Sequence, residues 1–280
     1  MISQYIARQN HTAKQKVLRK VVRACQDLLL TSDQAWSARR YLNSRIAKED
    51  QMLWKFGYFP TDDRLCDLTS MVSKADLESF KLYYPRFIEG GSAPHGHFSD
   101  HNLVMPFHNV HGDIIAILGR CLLSDEEREE RSLHKYNYNA GCQKDLYVYG
   151  LDKARESIIA KDCVIGVEGQ FDCISLHAHG ITNAVAFGWA KLSRYQMFQI
   201  HRYTNNIIIM LDRDDAGQKG KSKIRERFKD VANIKLISPP VGFKDIDEFF
   251  RSSSDTKEIL HVIDTLKSFG SLNGQKDKQV

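Results

Sequence analysis

Apolar positions along the 280-residue chain change their rhythm three times. Up to about residue 50 they recur at helical spacing, at Val17, Val21, Val22, Leu28 and Leu29, with no proline in the run. Ser32 and Asp33 predict a restart, with a second helix through Ala35, Arg39 and Leu42. Residues 61–95 carry a mixed helical pattern and end in GGSAPHGH, where Gly90, Gly91 and Pro94 predict a turn or linker. From Asn102 the period becomes two. Residues 103–107 and 114–118 then predict a hairpin around a turn at 109–113. The stretch SDEEREERS at 124–132 predicts a solvated charged loop.

Beyond residue 160 the apolar runs are unbroken. They predict strands at 163–168, 183–187, 206–212 and 234–238, with helices near 172–179, 192–203 and 216–229. Strands and helices alternating at these lengths predict a parallel sheet covered on both faces. The chain is therefore expected to be α/β: an N-terminal helical and α+β subdomain over 1–160, and a parallel-sheet domain over 161–240. A helical segment over 241–270 and a flexible polar tail at 271–280 would follow.

Composition narrows this little. Hydrophobic content of 42% and charge of 27% are those of an ordinary globular chain, and a net charge of +5 only mildly favours an acidic partner. No apolar run approaches the roughly 20 residues that span a bilayer. The polar start MISQYIARQNHTAKQK does not read as a signal peptide. The six cysteines include no C-x-x-C pair, so there is no zinc ribbon in the pattern, and reduced thiols in the cytoplasm are expected. His95, His97, His101, His108 and His111 have no cysteine partner and are expected at loops and strand edges. Arg8, Lys14, Lys16, Arg19, Lys20, Arg23, Arg39, Arg40 and Arg45 stand against Asp27 and Asp33. They suit either a solvated helical face or contact with nucleic-acid phosphates.

The chemistry is carried by carboxylates. VIGVEGQFD delivers Glu168 and Asp172, IIIMLDRDDAG delivers Asp212, Asp214 and Asp215, and GFKDIDEFF delivers Asp245 and Asp247. Carboxylates just past the C-terminal ends of parallel strands lie where open α/β sheets bind ligands. So many together require a positive partner, because like charges raise one another's pKa. A hard divalent ion with oxygen ligands is the natural one. GQKGKS at 217–222 ends like a phosphate-binding loop. Asp215 stands at its first glycine position, so it is not read as one; Lys219, Lys221, Lys223, Arg225 and Arg227 are expected to form a basic helix face.

Glu168-Gly169 with Asp172, Asp212-x-Asp214 before Ala216-Gly217, and Lys244-Asp245-x-Asp247-Glu248 together resemble the Toprim domain, in the version of bacterial DnaG-type primases. The resemblance extends upstream through Tyr41, Leu42 and Arg45, the turn of Phe56, Gly57, Tyr58 and Pro60, and Gly119-Arg120 at the hairpin's end. Lys135-Tyr136, and Lys144 ahead of Val148-Tyr149-Gly150-Leu151, continue it. It implies a DNA primase catalytic core that makes short RNA primers on single-stranded DNA from nucleoside triphosphates. Glu168, Asp212 and Asp214 would be catalytic. Glu168, Asp172, Asp212, Asp214, Asp245 and Asp247 would hold Mg²⁺ or Mn²⁺. Arg120, Lys135, Tyr136, Asn137 and Lys144 would contact nucleotide or nucleic acid.

Two departures stand out. Tyr138 occupies the family's asparagine position, leaving Asn137 or Asn139 to do that work, and His101-Asn102 replaces an Asp-Arg pair. Arg120 could also simply cap its strand. The family's zinc-binding and helicase-binding segments are not found, so a helicase or template-recognition protein in trans is expected. A chain of this kind would suit a phage, plasmid or other mobile element. Two alternatives remain: a Toprim nuclease using the same ions, and a non-catalytic single-strand-binding or regulatory module whose stacking residues would be Tyr136, Tyr138 and Tyr147.

Overall fold

A computed structural model describes residues 2–88, 91–188, 190–253 and 255–268, with side chains from residue 12 onward except that of Ile88. Gly90, the side chain of Arg8 and the predicted tail at 271–280 lie outside the described residues. The chain divides into two compact units, residues 1–107 with 113–142, and residues 108–112 with 143–280.

The first unit is built on α1 (Ile2–Thr31). Its buried side chains, Leu18, Val21, Val22, Cys25, Leu28 and Leu29, lie on one stripe, as the helical spacing predicts. The expected restart is present: Ser32 precedes a single 3₁₀ turn that leads into α2 (Trp36–Asn43). Then come α3 (Lys48–Leu53), β1 (Gly57–Tyr58), α4 (Leu65–Thr69), α5 (Lys74–Ser79), β2 (Tyr83–Ile88) and β3 (Gly91–Gly96). The predicted hairpin is β4 (Leu103–His108) and β5 (Ile114–Arg120). Gly112 turns it at φ +82°, with its N–H donating to Asn109 O. α6 (Asp125–Glu130) and β6 (Tyr136–Tyr138) complete the unit. Its main sheet runs β1-β4-β5-β6, with β1–β4 and β5–β6 antiparallel.

Two expectations fail in this unit. GSAPHG is a strand, not a linker: β3 pairs antiparallel with β2 in register from Tyr83↔Gly96 to Ile88↔Gly91. The ladder is made by backbone groups, and Pro85 faces Pro94 within a two-stranded sheet, where both strands are edges and tolerate proline. The charged stretch is helix α6 rather than loop. Ser124 accepts from the Glu127 N–H while the Glu127 carboxylate accepts from the Ser124 N–H, and the acids of the first turn suit the positive end of the helix.

The second unit follows the predicted alternation closely: α7 (Leu151–Lys161), β7 (Val164–Val167), α8 (Gln170–Ala178), β8 (Ala184–Ala186), α9 (Arg194–His201), β9 (Asn206–Met210), α10 (Asp215–Phe228) and β10 (Asn233–Ile237). Two helices, α11 (Ile246–Ser252) and α12 (Thr256–Ser268), end it. The sheet order is β10-β9-β7-β8, and every pairing is parallel. Its core gathers Val164, Val185, Phe187, Ile207, Ile209 and Leu211 from the strands with Leu151, Ala154, Ile158, Met197, Ile200, Ile224 and Phe228 from the helices. β7 is buried along its whole length, which is why its run shows no alternation.

All six cysteines are free thiols. Burial raises the Cys25 thiol to about 12 and, with the Asp162 charge second, the Cys163 thiol to about 11, so neither is a reactive thiolate. No described helix is long and apolar enough to cross a membrane.

Candidate active site

The carboxylates of the second unit sit where β7 and β9 end. Glu168 follows β7 directly, half-buried, and its backbone carbonyl accepts from Gly188 N–H. The chain turns at Gly169 into α8, whose first turn holds Asp172. Asp172 is 7% exposed; one carboxylate oxygen accepts from Gly169 N–H at 3.1 Å and the other from Asp247 N–H at 3.2 Å. Burial first, then the charges of Asp245, Asp212 and Asp247, push its carboxyl well above the usual carboxylate range. Asp172 thus feels the charges of three other predicted metal residues, Asp245, Asp212 and Asp247.

Asp212 and Asp214 are joined by a residue the sequence did not single out as a site member. Lys244 Nζ lies 3.8 Å from the Asp212 carboxylate and 3.5 Å from that of Asp214. Burial opposes the lysine's charge, yet Asp212, Asp214 and Asp245 raise its pKa on balance. The backbone helps hold the arrangement, since Arg213 N–H donates to Lys244 O at 2.9 Å. The available signal was Lys244's place directly before the Asp245-x-Asp247 pair.

Several of these acids also have local duties. Asp214 caps α10 through Gly217 N–H, Asp245 caps α11 through Glu248 N–H, and Asp247, 4% exposed, pairs with Arg251 at 2.9 Å. Gly217 is required by a close approach: a Cβ there would stand 2.2 Å from Asp212 O. Lys221, expected with four neighbours on a basic helix face, is buried and donates to Ser238 at 2.9 Å. It sits one turn from Gly217 on the helix face that meets the sheet.

Among the described residues no three His, Cys, Asp or Glu side chains stand at metal-holding spacing. The donor set nonetheless fits a hard divalent ion in kind. It consists of carboxylate oxygens, those of buried Asp172 among them, with an ammonium drawn between Asp212 and Asp214.

In the first unit, Arg120 ends β5. Its Nη1 donates to the Tyr136 hydroxyl at 2.5 Å, and its guanidinium lies 4.9 Å from the Tyr41 ring centre and 5.1 Å from that of Tyr136. Arg45 stacks on Tyr41 at 4.4 Å, so Tyr41 and Arg45 join a cluster in which only Arg120 and Tyr136 were predicted. Lys135 is exposed just before β6. Asn137 pairs across the strands with Gly119 and reaches His97 O at 3.4 Å. Asn139 is buried, and its amide oxygen accepts from Ile117 N–H, a scaffold contact. Lys144 belongs to the second unit, in a 3₁₀ turn over Lys144–Leu146.

The departures at His101-Asn102 are scaffolding as well. A His101 ring nitrogen meets His134 O at 2.8 Å, and the Asn102 amide donates to Phe59 O and Ser99 O. His95 and His97 likewise have local partners, the Asp62 carboxylate and Tyr138 O.

Residues 165–250 match a Toprim-like family model. The chain is 34% identical over 179 residues to the DNA primase of Synechococcus elongatus, covering 61% of this chain and 25% of that protein. With the DNA primase of Clostridium acetobutylicum the identity is 30% over 237 residues, covering 83% and 38%. The zinc-binding and RNA polymerase domains of the Aquifex aeolicus primase superpose at TM-score 0.72 with 24% identity, over 90% of this chain and 60% of that one. A DnaG primase catalytic domain bound to single-stranded DNA also gives 0.72, at 21% identity over 96% and 86%.

The chain corresponds to the catalytic core of DnaG-type DNA primases, Toprim domain included. It spans between a quarter and two-fifths of the length of the primases it matches in sequence. The carboxylate edge, Asp245 and Asp247 included, falls within the residues that match the Toprim-like model, and the Arg120 cluster lies upstream of them.

Proposed function

We propose that this chain synthesises short RNA primers on single-stranded DNA by metal-dependent nucleotidyl transfer. The supporting observation is the carboxylate edge, where buried Asp172 accepts from Asp247 N–H and feels the charges of Asp245, Asp212 and Asp247, a concentration of carboxylates that calls for cations. Glu168, Asp172, Asp212, Asp214, Asp245 and Asp247 would hold Mg²⁺ or Mn²⁺. Such an ion, when bound, neutralises phosphate charge and acidifies a primer hydroxyl.

The chain's own residues supply the rest. Asp214 and Asp245, each fixed as a helix cap, present the free parts of their carboxylates from rigid elements. Lys244 balances Asp212 and Asp214. Arg120, held against two tyrosine rings, offers a guanidinium suited to phosphate, with Lys135, Tyr136, Asn137 and Lys144 as further contacts. The Toprim part is taken as 161–240, with 1–160 before it and the Asp245-x-Asp247 helices at 241–270 after it. Delivery to a template by a helicase or template-recognition protein belongs to the same proposal.

Incubation with single-stranded template, labelled ribonucleotides and Mg²⁺ or Mn²⁺ tests it. New oligoribonucleotides that vanish in Glu168→Gln and Asp212→Asn support the proposal. Template shortened by the wild type would indicate a nuclease instead. Template binding with no product, alone and with candidate partners, would indicate a binding module.

A further inference from the structure

Helix α9 carries a surface that primer synthesis at the carboxylate edge does not use. Tyr195 is 65% and Phe198 67% exposed, although rings of this size normally seek burial. They are three residues apart, so on a helix they are neighbours on one face, and Arg202 continues that line one turn further. Arg194 and His201 flank the line and Lys191 precedes it, all of them exposed. No Asp or Glu stands anywhere between Asp172 and Asp212, so the local sequence is purely cationic. Among the described residues, Lys191, Arg194 and Arg202 take part in no ion pair.

The opposite face anchors the helix. Gln196, Met197 and Ile200 are buried, and the Gln196 amide donates to both Tyr147 O and Phe187 O at 2.9 Å. Ser193 caps the helix and donates to Asp145 O, and the Gln199 amide donates to Leu146 O. Asp145 is the neighbouring acid, and it meets the helix through its carbonyl. Lys144, already a candidate nucleic-acid contact, lies in the same 3₁₀ turn.

We propose that this outer face of α9 is a stacking platform for single-stranded nucleic acid, Tyr195 and Phe198 taking successive bases and Arg194 and Arg202 the flanking phosphates. Exposed rings interleaved with cations are the recognition chemistry of single strands: stacking accepts any base and the cations follow the backbone. A protein partner is the poorer match. An eight-residue helix is only about 12 Å long and offers far less than the roughly 800 Å² per side of a stable protein interface. Two or three nucleotides fit that length. The anchored helix loses little freedom on binding. This platform rests on the reading of the chain as a nucleic-acid enzyme, and it adds a contact separate from the carboxylate edge.

Fluorescence anisotropy with a short labelled oligothymidylate, using the full chain, tests it. Tyr195→Ala/Phe198→Ala is expected to weaken binding about ten-fold or more, with Tyr195→Trp/Phe198→Trp restoring it. Arg194→Gln/Arg202→Gln, which removes two phosphate contacts, is expected to lower the slope of log affinity against log salt by about 1.4. All four side chains are exposed, so thermal melting by circular dichroism should match the wild type. Unchanged affinity in the double alanine variant overturns the platform, even if primers are made. A dimer lost in that variant while oligonucleotide affinity holds also overturns it, in favour of self-association. Wild-type binding that depends on the rings, without primer synthesis, leaves the platform standing and removes only the catalytic proposal.

Discussion

The two units solve opposite electrostatic problems. In the second, carboxylates crowd one edge of a parallel sheet, and the fold holds them there with helix caps, a bridging lysine and an arginine on Asp247. In the first, cations crowd the end of an antiparallel hairpin, and aromatic rings hold them, Arg45 and Arg120 on Tyr41 and Arg120 again on Tyr136. Local hydrogen bonds can fix a carboxylate while leaving lone pairs for a ligand. A guanidinium likewise stacks through its flat face, while its N–H donors point outward in the plane. Each unit thus holds its charged groups in place with its own local contacts, which is the condition for electrostatic preorganisation.

The sharpest way to break the comparison is to remove charge on the acidic side. Asp212→Asn should reduce nucleotide addition on the order of 100-fold or more, with oligonucleotide affinity held within about two-fold. Gel assay of labelled primers and anisotropy on the same preparations check it. Equal loss in both would mean that Asp212 supports template binding, and the division of labour would collapse. Gly217→Ala comes next. Its Cβ would meet Asp212 O at 2.2 Å, so the loop carrying Asp212 must move. A displacement near 1 Å at reacting groups costs on the order of 100-fold, so addition should fall by about that much without any change in charge. An active variant would show that the loop tolerates displacement.

The difference between the units also accounts for what the sequence revealed. β7 and β9 are buried on both faces, so their apolar runs are unbroken and end at Glu168 and near Asp212; the sheet and its acids were legible together. β3 has no such signal. Gly91–Gly96 is largely exposed and paired only to β2 through the backbone, so GSAPHG carries the composition of a loop. Lys221 misled for a related reason, since helical spacing alone does not say which lysine turns toward the sheet, and the one at the α10–sheet face found Ser238. Tyr41 joins Arg120 across most of the first unit's length, a contact between distant positions that no local pattern announces.

On the cationic side a smaller effect is expected. Arg120→Ala should weaken oligonucleotide binding about ten-fold and reduce the salt slope by about one, as for loss of a single phosphate contact. Arg120→Lys should restore the salt slope but only part of the affinity, because an ammonium keeps the charge and loses the planar fork that stacks on Tyr41 and Tyr136. Full recovery by lysine would mean that the rings merely pack against the arginine stem.

The smallest effect separates capping from function. Ser124 caps α6 in the first unit by the same local geometry that Asp214 and Asp245 use in the second, a side-chain oxygen accepting from the N–H three residues on. α6 has no buried residue and no candidate role. Ser124→Ala should therefore cost about 1 kcal/mol or less, read as a small fall in the denaturation midpoint, and leave primer synthesis and oligonucleotide binding unchanged. Asp214→Ser keeps a competent cap on α10 but removes the carboxylate. If capping were its whole duty, the variant would match the wild type in both stability and synthesis. A stable but inactive Asp214→Ser, beside an active Ser124→Ala, would show that the acidic caps of the second unit serve the site as well as the helix.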